Sequence, residues 1–337
     1  MTTLTTPARP ARDASLRPVP WRRMAWVTWR QHRAALGGVA LLLGALAVFL
    51  WINGLQIHHA YAADCHQASS LDCAMNFSGQ YGIQADVVRI LLQAVPALIG
   101  AFAGAPLLAR ELETGTFRYA WTQGIGRWRW TLAKLVLLAV AVAAAAWAFS
   151  VLFAWYLGPF TATGYAIPFA TDVFDLRQVA FPAWTLAAFT IGVLAGMLIR
   201  RVVPAIAATL AVYAGLAFAA ALYLRQHYMP PLLTSNQNLP GSAWLVNQWY
   251  DKGGKFAFPA RGPQIVSALQ RYCPPGGPGS RGLPPAQCLS QHGYVWQAAY
   301  QPGSRFWPFQ WIEGGWLLAL SVLLTAAIVW LVRRRAT

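Results

Sequence analysis

The densest group of residues that could bind a metal ion is formed by His58, His59, Asp64 and His66. Imidazole rings and a carboxylate are suitable metal ligands, but their spacing matches neither HExxH nor a paired-cysteine pattern. We therefore favour solvated side chains in a polar segment and predict no metal site. A metal-dependent membrane enzyme that uses the three histidines is the less favoured alternative.

Other catalytic and nucleotide-binding features are also missing from the sequence. It contains no GxxxxGK[ST] phosphate-binding loop. Asp86, Arg89, Arg177 and Glu313 lie at the ends of long apolar segments, whereas a proton path or an intramembrane enzyme needs ionisable groups at depth. We predict that the chain is not an enzyme and binds no cofactor itself, so that any ATP and Mg²⁺ would be bound by a separate chain.

The composition indicates an integral membrane protein. Of 337 residues, 57% are hydrophobic and 11% are charged, and the mean hydropathy is +0.41. Soluble proteins carry about 25% charged residues. The net charge of +16 could suggest a nucleic-acid partner, but the basic residues lie beside apolar segments, where they indicate membrane orientation instead.

Six apolar segments are long enough to cross a hydrocarbon core of about 30 Å as helices. The sequence therefore predicts an all-α integral membrane protein with six transmembrane helices. An even number of spans places both termini on the same side of the membrane. The predicted spans are residues 34–55, the segment between 89 and 110, and residues 135–157, 178–199, 202–224 and 311–332.

The distribution of basic residues predicts the orientation of these spans. One side holds seven Lys and Arg residues before span one, five between spans two and three, two after span four and three after span six; the other side holds nine. Acidic residues show the opposite distribution, three against seven. By the positive-inside rule, both termini are cytoplasmic in a multi-pass protein of the plasma membrane.

All four cysteines lie on the predicted outer side. Cys65 and Cys73 follow span one, and Cys273 and Cys288 lie in residues 225–308, a segment rich in Pro and Gly. Cysteines in an oxidising compartment favour disulfides. Proximity favours Cys65–Cys73 and Cys273–Cys288, although a pairing between the two segments is also possible. We predict that 225–308 forms a small extracytoplasmic cap stapled by a disulfide, with irregular parts and an amphipathic run at 264–272.

The remaining boundaries follow from composition. Residues 1–20 are predicted to be a disordered cytoplasmic tail, and residues 309–337 contain span six and a basic cytoplasmic tail. Between them, residues 21–224 contain an N-terminal helix and spans one to five. Trp21, Ala25 and Trp29 form a stripe beside arginines, which favours an interfacial helix on the membrane surface. The alternative is an inward extension of span one.

The loop at 110–130 is the most informative segment for function. Glu111 and Glu113 are its only acidic residues. Gly115 can end a helix and Thr116 can begin the next one, which would cover about two turns to Gln123. We predict that this short polar and aromatic helix docks into a groove of a cytoplasmic partner. The alternative is a basic loop on anionic lipid.

In this loop the sequence resembles the ABC-2 type permease subunits of ATP-binding cassette transporters. The family's E-x-G-T element after span two, followed by a basic turn, is matched by Glu113, Gly115, Thr116 and Arg127, and residues 300–313 resemble actinobacterial-type permeases. The resemblance implies a half-transporter that exports hydrophobic or amphipathic compounds with a cytoplasmic ABC ATPase and a second permease chain, identical or related. The implied coupling residues are Glu111, Glu113, Gly115, Thr116, Phe117, Arg118, Trp121 and Arg127.

Two further expectations concern contacts between helices. Gly100–Gly104 in span two and Gly192–Gly196 in span four are small-residue faces that allow close packing, which we expect within the chain rather than between copies. Arg305 and Glu313 are expected to pair near the outer mouth. The alternative function is a non-transporting membrane sensor or regulator that binds a ligand through its outer cap and needs no coupling helix.

Overall fold

A computed structural model describes residues 21–65, 70–113, 127–274 and 285–334. It contains six helices long and apolar enough to cross a membrane, and each one overlaps a predicted span. The prediction of six spans is therefore confirmed, and the chain is a multi-pass membrane protein. The spans are Leu36–Cys65, Asp72–Glu113, Trp128–Tyr156, Ala180–Ile199, Val202–His227 and Gly303–Arg334.

Span one belongs to a single unbroken helix, Trp21–Cys65, of 45 residues. At 1.5 Å per residue this helix is about 68 Å long, which exceeds a whole bilayer of about 40–45 Å. The described residues contain no separate interfacial helix at 21–33. The preference for one was wrong in this respect, because no Gly, Pro or capping residue interrupts the helix between Trp29 and Ala34.

Span two is interrupted where two prolines remove backbone donors. It consists of the helices Ser70–Leu92 and Val95–Ile99, a π-helical turn at Gly100–Gly104 and the helix Ala105–Glu113. Pro96 cannot donate a hydrogen bond to the carbonyl of Leu92, and the chain turns at that point. Pro106 likewise follows the π turn, in which the N–H of Ala105 reaches the carbonyl of Gly100.

The connections between spans three, four and five contain short helices and a tight turn. Span three is the helix Arg127–Tyr156, and two short helices, Gly158–Ala162 and Thr171–Phe174, lead into span four, Ala180–Ile199. Arg200, with φ of 59°, makes a left-handed turn into span five. Span five consists of the helix Val202–Ala219, the π turn Ala220–Leu224 and the 3₁₀ turn Arg225–His227. Span six consists of the 3₁₀ turn Gly303–Arg305 and the helix Phe306–Arg334.

Span four is the central helix of the bundle. It packs against spans two, three, five and six, whereas span one packs mainly on span three. The buried side chains of span four include Trp184, Phe189 and Val193. A helix that is apolar all round is expected at such a position. The outer helices instead leave many large apolar side chains exposed, as a lipid-facing surface requires.

The segment between spans five and six contains a four-stranded antiparallel sheet, so the all-α prediction was wrong there. The sheet order is β1–β4–β2–β3, with Trp249 opposite Gln297 and Tyr250 opposite Phe258. Gly253 and Gly254, with φ of 58° and 76°, form the two-residue turn between β2 and β3. The strands are β1 Leu232–Thr234, β2 Trp244–Lys252, β3 Lys255–Pro259 and β4 Tyr294–Gln301.

Two helices and a disulfide complete this sheet unit. The helix Pro263–Tyr272 confirms the helix expected from the amphipathic run, and a second helix covers Pro285–Gln291. The apolar core of the unit includes Tyr250, Phe258 and Leu289. Cys273 and Cys288 are disulfide-bonded with a Cα–Cα distance of 6.1 Å, and Cys65 and Cys73 with a distance of 5.1 Å. The pairings favoured by proximity are confirmed.

Candidate functional site

The end of the bundle predicted to be cytoplasmic contains an ion pair between spans two and three. Glu111, in the last turn of span two, accepts a hydrogen bond from the ammonium of Lys134. The Lys134 side chain is 1% exposed, and its Nζ lies 4.8 Å from the centre of the Trp130 ring. A buried ammonium needs a partner of opposite charge. Glu111 therefore fixes the end of span two against span three.

Glu113 connects the same end of span two to span five. Its Oε2 accepts a hydrogen bond of 3.3 Å from the backbone N–H of Val202, the first residue of the span-five helix. Arg201 precedes this helix and does not cap it with its own side chain. A carboxylate at a helix N-terminus satisfies a free donor and favours the positive end of the helix dipole.

The two predicted acidic residues thus contact two different spans. Among the other predicted coupling residues, Arg127 is the first residue of the span-three helix. The rest lie outside the described residues, namely Gly115, Thr116, Phe117, Arg118 and Trp121. The predicted coupling helix therefore stays a prediction. The residues that precede it, Glu111 and Glu113, contact spans three and five, and Arg127 after it begins span three.

A buried charge cluster lies at the opposite end of spans five and six. Arg225 and Glu313 are 1% and 0% exposed. The guanidinium donates from Nε to Glu313 Oε2 at 3.0 Å and from Nη2 to Glu313 Oε1 at 2.7 Å, a bidentate pair. Nη2 also contacts the carboxylate of Asp175, which lies between spans three and four. One guanidinium therefore faces two carboxylates.

Neutral donors complete the hydrogen bonding of Glu313. Trp184 of span four donates from Nε1 to Oε1 at 2.8 Å, and the Tyr228 hydroxyl donates to Oε2 at 3.1 Å. Burial and the neighbouring Glu313 raise the pKa of Asp175 to about 7, against the opposing effect of Arg225. If both carboxylates were ionised, the cluster would carry a net negative charge in a buried site, so it can hold one proton near neutral pH.

The expected pair of Arg305 and Glu313 is not formed. The oxygens of Glu313 are occupied by Arg225, Trp184 and Tyr228. Arg305 instead donates from Nη1 to the carbonyl of Pro230 and to Gln301 Oε1, both at 2.7 Å. The pairing was wrong because Glu313 points into the bundle, whereas Arg305 precedes the helix and reaches the segment that enters the sheet. Arg225 carried no sequence signal beyond its position at the end of an apolar segment.

A second charge cluster joins span two to the connection between spans three and four. Arg89, whose side chain is 8% exposed, contacts Asp86 and lies 3.2 Å from Asp172. The Tyr165 hydroxyl donates to Asp86 at 2.9 Å. Arg89 was expected at the outer end of an apolar segment. The structure extends span two to Asp72, so Arg89 lies within the helix and is buried against charged partners.

The glycine faces of spans two and four pack against each other within the chain. A Cβ on Gly192 would overlap the backbone carbonyl of Gly100, and a Cβ on Gly196 would overlap that of Ala105. A Cβ on Gly104 would in turn overlap the carbonyl of Phe189. The expectation of packing within the chain is therefore confirmed.

The histidines at the end of span one do not form a cluster among the described residues. The Nε2 of His58 lies 3.0 Å from the carbonyl of Trp155, and its ring stacks on Trp155 at 4.6 Å. His59 and Asp64 are exposed, and His66 lies outside the described residues. In the part of the chain that the structure describes, Cys273, Cys288 and His292 are the one group with metal-ligand atoms close together. Both sulfurs are in a disulfide and cannot act as thiolate ligands.

Comparison with known protein families decides the class of this protein. A family model described as ABC-2 membrane transporter related matches residues 40–225, more than half of the chain. The chain belongs to this family. No curated protein and no solved structure matches it. The chain is thus a membrane permease of this family, and the predicted resemblance to ABC-2 type permeases is confirmed.

The matched region covers spans two to four, most of spans one and five, and both acidic residues at the end of span two. Permeases of this family generally work with a cytoplasmic ATPase subunit. The narrower resemblance to actinobacterial-type permeases at 300–313 lies beyond the matched region and stays a prediction. The buried charge cluster joins the last residue of that region, Arg225, to Glu313 of span six.

Proposed function

We propose that this permease exports a hydrophobic or amphipathic compound and is driven by ATP hydrolysed on a separate cytoplasmic ABC ATPase. The permease would lie in the plasma membrane with both termini in the cytoplasm. Two permease chains, identical or related, would bind two ATPase subunits at the 110–130 segments. ATP and Mg²⁺ would be held by the partner. The family match is the observation that carries the proposal.

The contacts of Glu111 and Glu113 support a coupling role for the 110–130 segment. Glu111 holds Lys134 in span three, and Glu113 holds the first backbone N–H of span five. The segment leaves span two immediately after Glu113 and enters span three at Arg127. A displacement imposed on the segment by an ATPase would therefore act on three spans at once.

The spans also support an apolar cargo. Their exposed surfaces are lined by large apolar residues, for example Val203, Phe218 and Leu222 of span five. Arg225 and Glu313 are paired with each other in the interior and are closed off from these surfaces. Such surfaces suit a hydrophobic or amphipathic compound better than an ion, which requires polar groups along its path.

The experiment is co-purification of the permease with its ATPase in mild detergent, followed by an ATPase assay of the complex. We expect Glu113→Lys to reduce ATPase recovery and activity at least tenfold, because the lysine loses the bond to Val202 and is repelled by the positive end of the helix dipole. Asp64→Lys is the matched control. It makes the same charge change at an exposed residue at the C-terminal end of span one, on the predicted outer side. The ATPase recovery of this variant should be unchanged.

Two outcomes would contradict the proposal. If the native permease recovers no ATPase, it is not driven by the proposed partner subunit. Equal loss in Glu113→Lys and Asp64→Lys would show a general effect of charge rather than coupling at 110–130. The melting temperature of each variant in detergent shows whether the fold is intact, so that a misfolded variant is not mistaken for an uncoupled one.

A second candidate function is the ligand-binding sensor, which one cavity favours. A space of about 450 Å³ lies between the four-stranded sheet and the connection after span three, lined by Ile167, Tyr250 and Trp296 among others. A sensor would need this cavity but no ATPase. Trp296→Ala should then abolish signalling while Glu113→Lys has no effect, which is the reverse of the result expected for the exporter.

A further inference from the structure

An open apolar groove runs between spans three, four and six and encloses about 640 Å³. Its wall is formed by side chains such as Val136 of span three, Leu186 of span four, and Leu318, Val322 and Val329 of span six. Neither Glu111, Glu113 nor the Arg225 cluster lines it. The position of the groove on the outside of the bundle makes it accessible from the membrane.

The hydroxyl groups in the groove already donate their hydrogens within the chain. Thr190 donates to the carbonyl of Leu186 at 3.0 Å, Ser321 to Leu317 at 2.8 Å, and Thr325 to Ser321 at 2.8 Å. Each hydroxyl is thus satisfied by the preceding turn of its own helix. The wall therefore offers a hydrocarbon surface, which suits an acyl chain and disfavours a compound with many polar groups.

One end of the groove is basic and aromatic. The guanidinium of Arg333 lies 4.3 Å from the centre of the Trp128 ring, and both residues line the groove. Arg334 lies 4.4 Å from the ring of Trp330 at the same end. Arg333 is exposed, and no carboxylate among the described residues forms an ion pair with it. An exposed guanidinium beside tryptophan rings is complementary to a phosphate at the level of the lipid headgroups.

The length of the groove matches one lipid leaflet. From Leu318 to Arg333 the helix of span six rises about 22 Å, at 1.5 Å per residue, and one leaflet with its headgroup layer is about 20–22 Å thick, half of a bilayer of about 40–45 Å. A chain lying in the groove can therefore reach from the middle of the membrane to the headgroup layer at Arg333. Basic pockets between spans at the cytoplasmic side are typical sites for anionic lipids.

We propose that this groove binds an anionic phospholipid, with one acyl chain along spans three, four and six and the phosphate at Arg333. The lipid would come from the cytoplasmic leaflet if the proposed orientation is correct. Lipid binding itself does not depend on ATP or on the ATPase partner. The proposal therefore stands or fails separately from the proposed export function.

The test is native mass spectrometry of the full chain in detergent, titrated with phosphatidylglycerol or with phosphatidylcholine of the same acyl chains. We expect one phosphatidylglycerol to bind about tenfold more tightly than phosphatidylcholine, because the choline ammonium offsets the phosphate charge that attracts Arg333. Arg333→Gln should remove this preference. Arg201→Gln is the matched control, since it neutralises an exposed arginine beyond the groove, in the turn between spans four and five.

A second pair of variants tests the apolar part of the groove. Ala326→Phe places a ring in the groove and should weaken phosphatidylglycerol binding at least tenfold. Ala319→Phe makes the same change at an exposed residue of the same helix that does not line the groove, and should bind as the native chain does. Equal affinity for the two lipids, or equal binding by both phenylalanine variants, would overturn the proposal. Unchanged melting temperatures without lipid show that the variants are folded.

Discussion

Arg225 is positioned by three neighbours from two parts of the chain: Asp175 and Phe174 before span four, and Glu313 in span six. The centre of the Phe174 ring lies 4.3 Å from the guanidinium carbon. Removing one partner of a buried ion pair leaves an uncompensated charge, whereas replacing both with apolar groups is often tolerated. The cluster therefore links span five to span six and to the connection before span four. Its stability depends on the charges of all three ionic residues.

We expect Arg225→Met to lower the free energy of unfolding by about 3–5 kcal/mol, because it strands Glu313 in a buried site. The double variant Arg225→Met/Glu313→Leu should recover a large part of this loss. Arg305→Met is the control and should cost about 1 kcal/mol, since it removes hydrogen bonds to Pro230 and Gln301 only. Unfolding in detergent micelles gives these three values and that of the single variant Glu313→Leu. A double variant with the sum of the two single losses would contradict a coupled pair.

At the scale of elements, spans two and four are held together by backbone contact. The π turn at Gly100–Gly104 and the helix that follows it lie against span four where Gly192 and Gly196 carry no side chain. Close approach of two helices in a membrane depends on such small residues, because lipid supplies no hydrophobic drive for association. Dispersion contacts between the backbones replace those that side chains would make.

Gly192→Ala should destabilise the permease by about 1–3 kcal/mol, because the new Cβ overlaps the carbonyl of Gly100 and the helices must move apart. Gly215→Ala in span five is the matched control, since its Cβ would meet no described atom within 4 Å. The control should be neutral or stabilised by up to about 1 kcal/mol, as alanine favours a helix more than glycine does. Thermal unfolding of both variants in one detergent measures the difference. A destabilised Gly215→Ala would contradict the claim that the loss in Gly192→Ala comes from the overlap with Gly100.

At the scale of the whole molecule, the sheet unit is attached to the spans by aromatic packing. The ring of Phe169, between spans three and four, lies 5.8 Å from Trp244 of β2 and 5.3 Å from Phe309 of span six. Phe306 contacts the same ring at 5.9 Å. Aromatic pairs at these separations contribute beyond their buried area. Within the sheet unit, the Cys273–Cys288 disulfide joins the two helices that pack beside the strands.

Replacing Cys273 and Cys288 together with serine should destabilise the sheet unit by about 3 kcal/mol, the value expected for a loop of about 15 residues. Limited proteolysis should cleave 225–308 faster in this variant than in the native chain. ATPase recovery should be unaffected, because the disulfide lies far from Glu111 and Glu113. Thiol titration supplies the control: free thiols in the unreduced native permease would contradict the disulfide.

The sequence alone predicted the six spans, the resemblance to the family and the favoured disulfide pairing, with a pairing between the two segments left open. The spans can be predicted because a hydrocarbon core requires about 20 apolar residues in each crossing helix. The pairings are legible because Cys65 and Cys73, like Cys273 and Cys288, are close in the chain. The sheet was missed although Gly253 and Gly254 are a hairpin signal, because β2 mixes apolar and polar residues without clean alternation.

The tertiary structure alone decided the partners of the charged residues. Glu313 meets Arg225 across 88 positions of sequence, and Glu113 meets the N–H of Val202 across 89. No local pattern encodes such pairs, because the partner of a buried charge is set by which helix faces come together. The glycine faces could be read from the sequence, but their mutual contact within one chain depended on span four lying at the centre of the bundle.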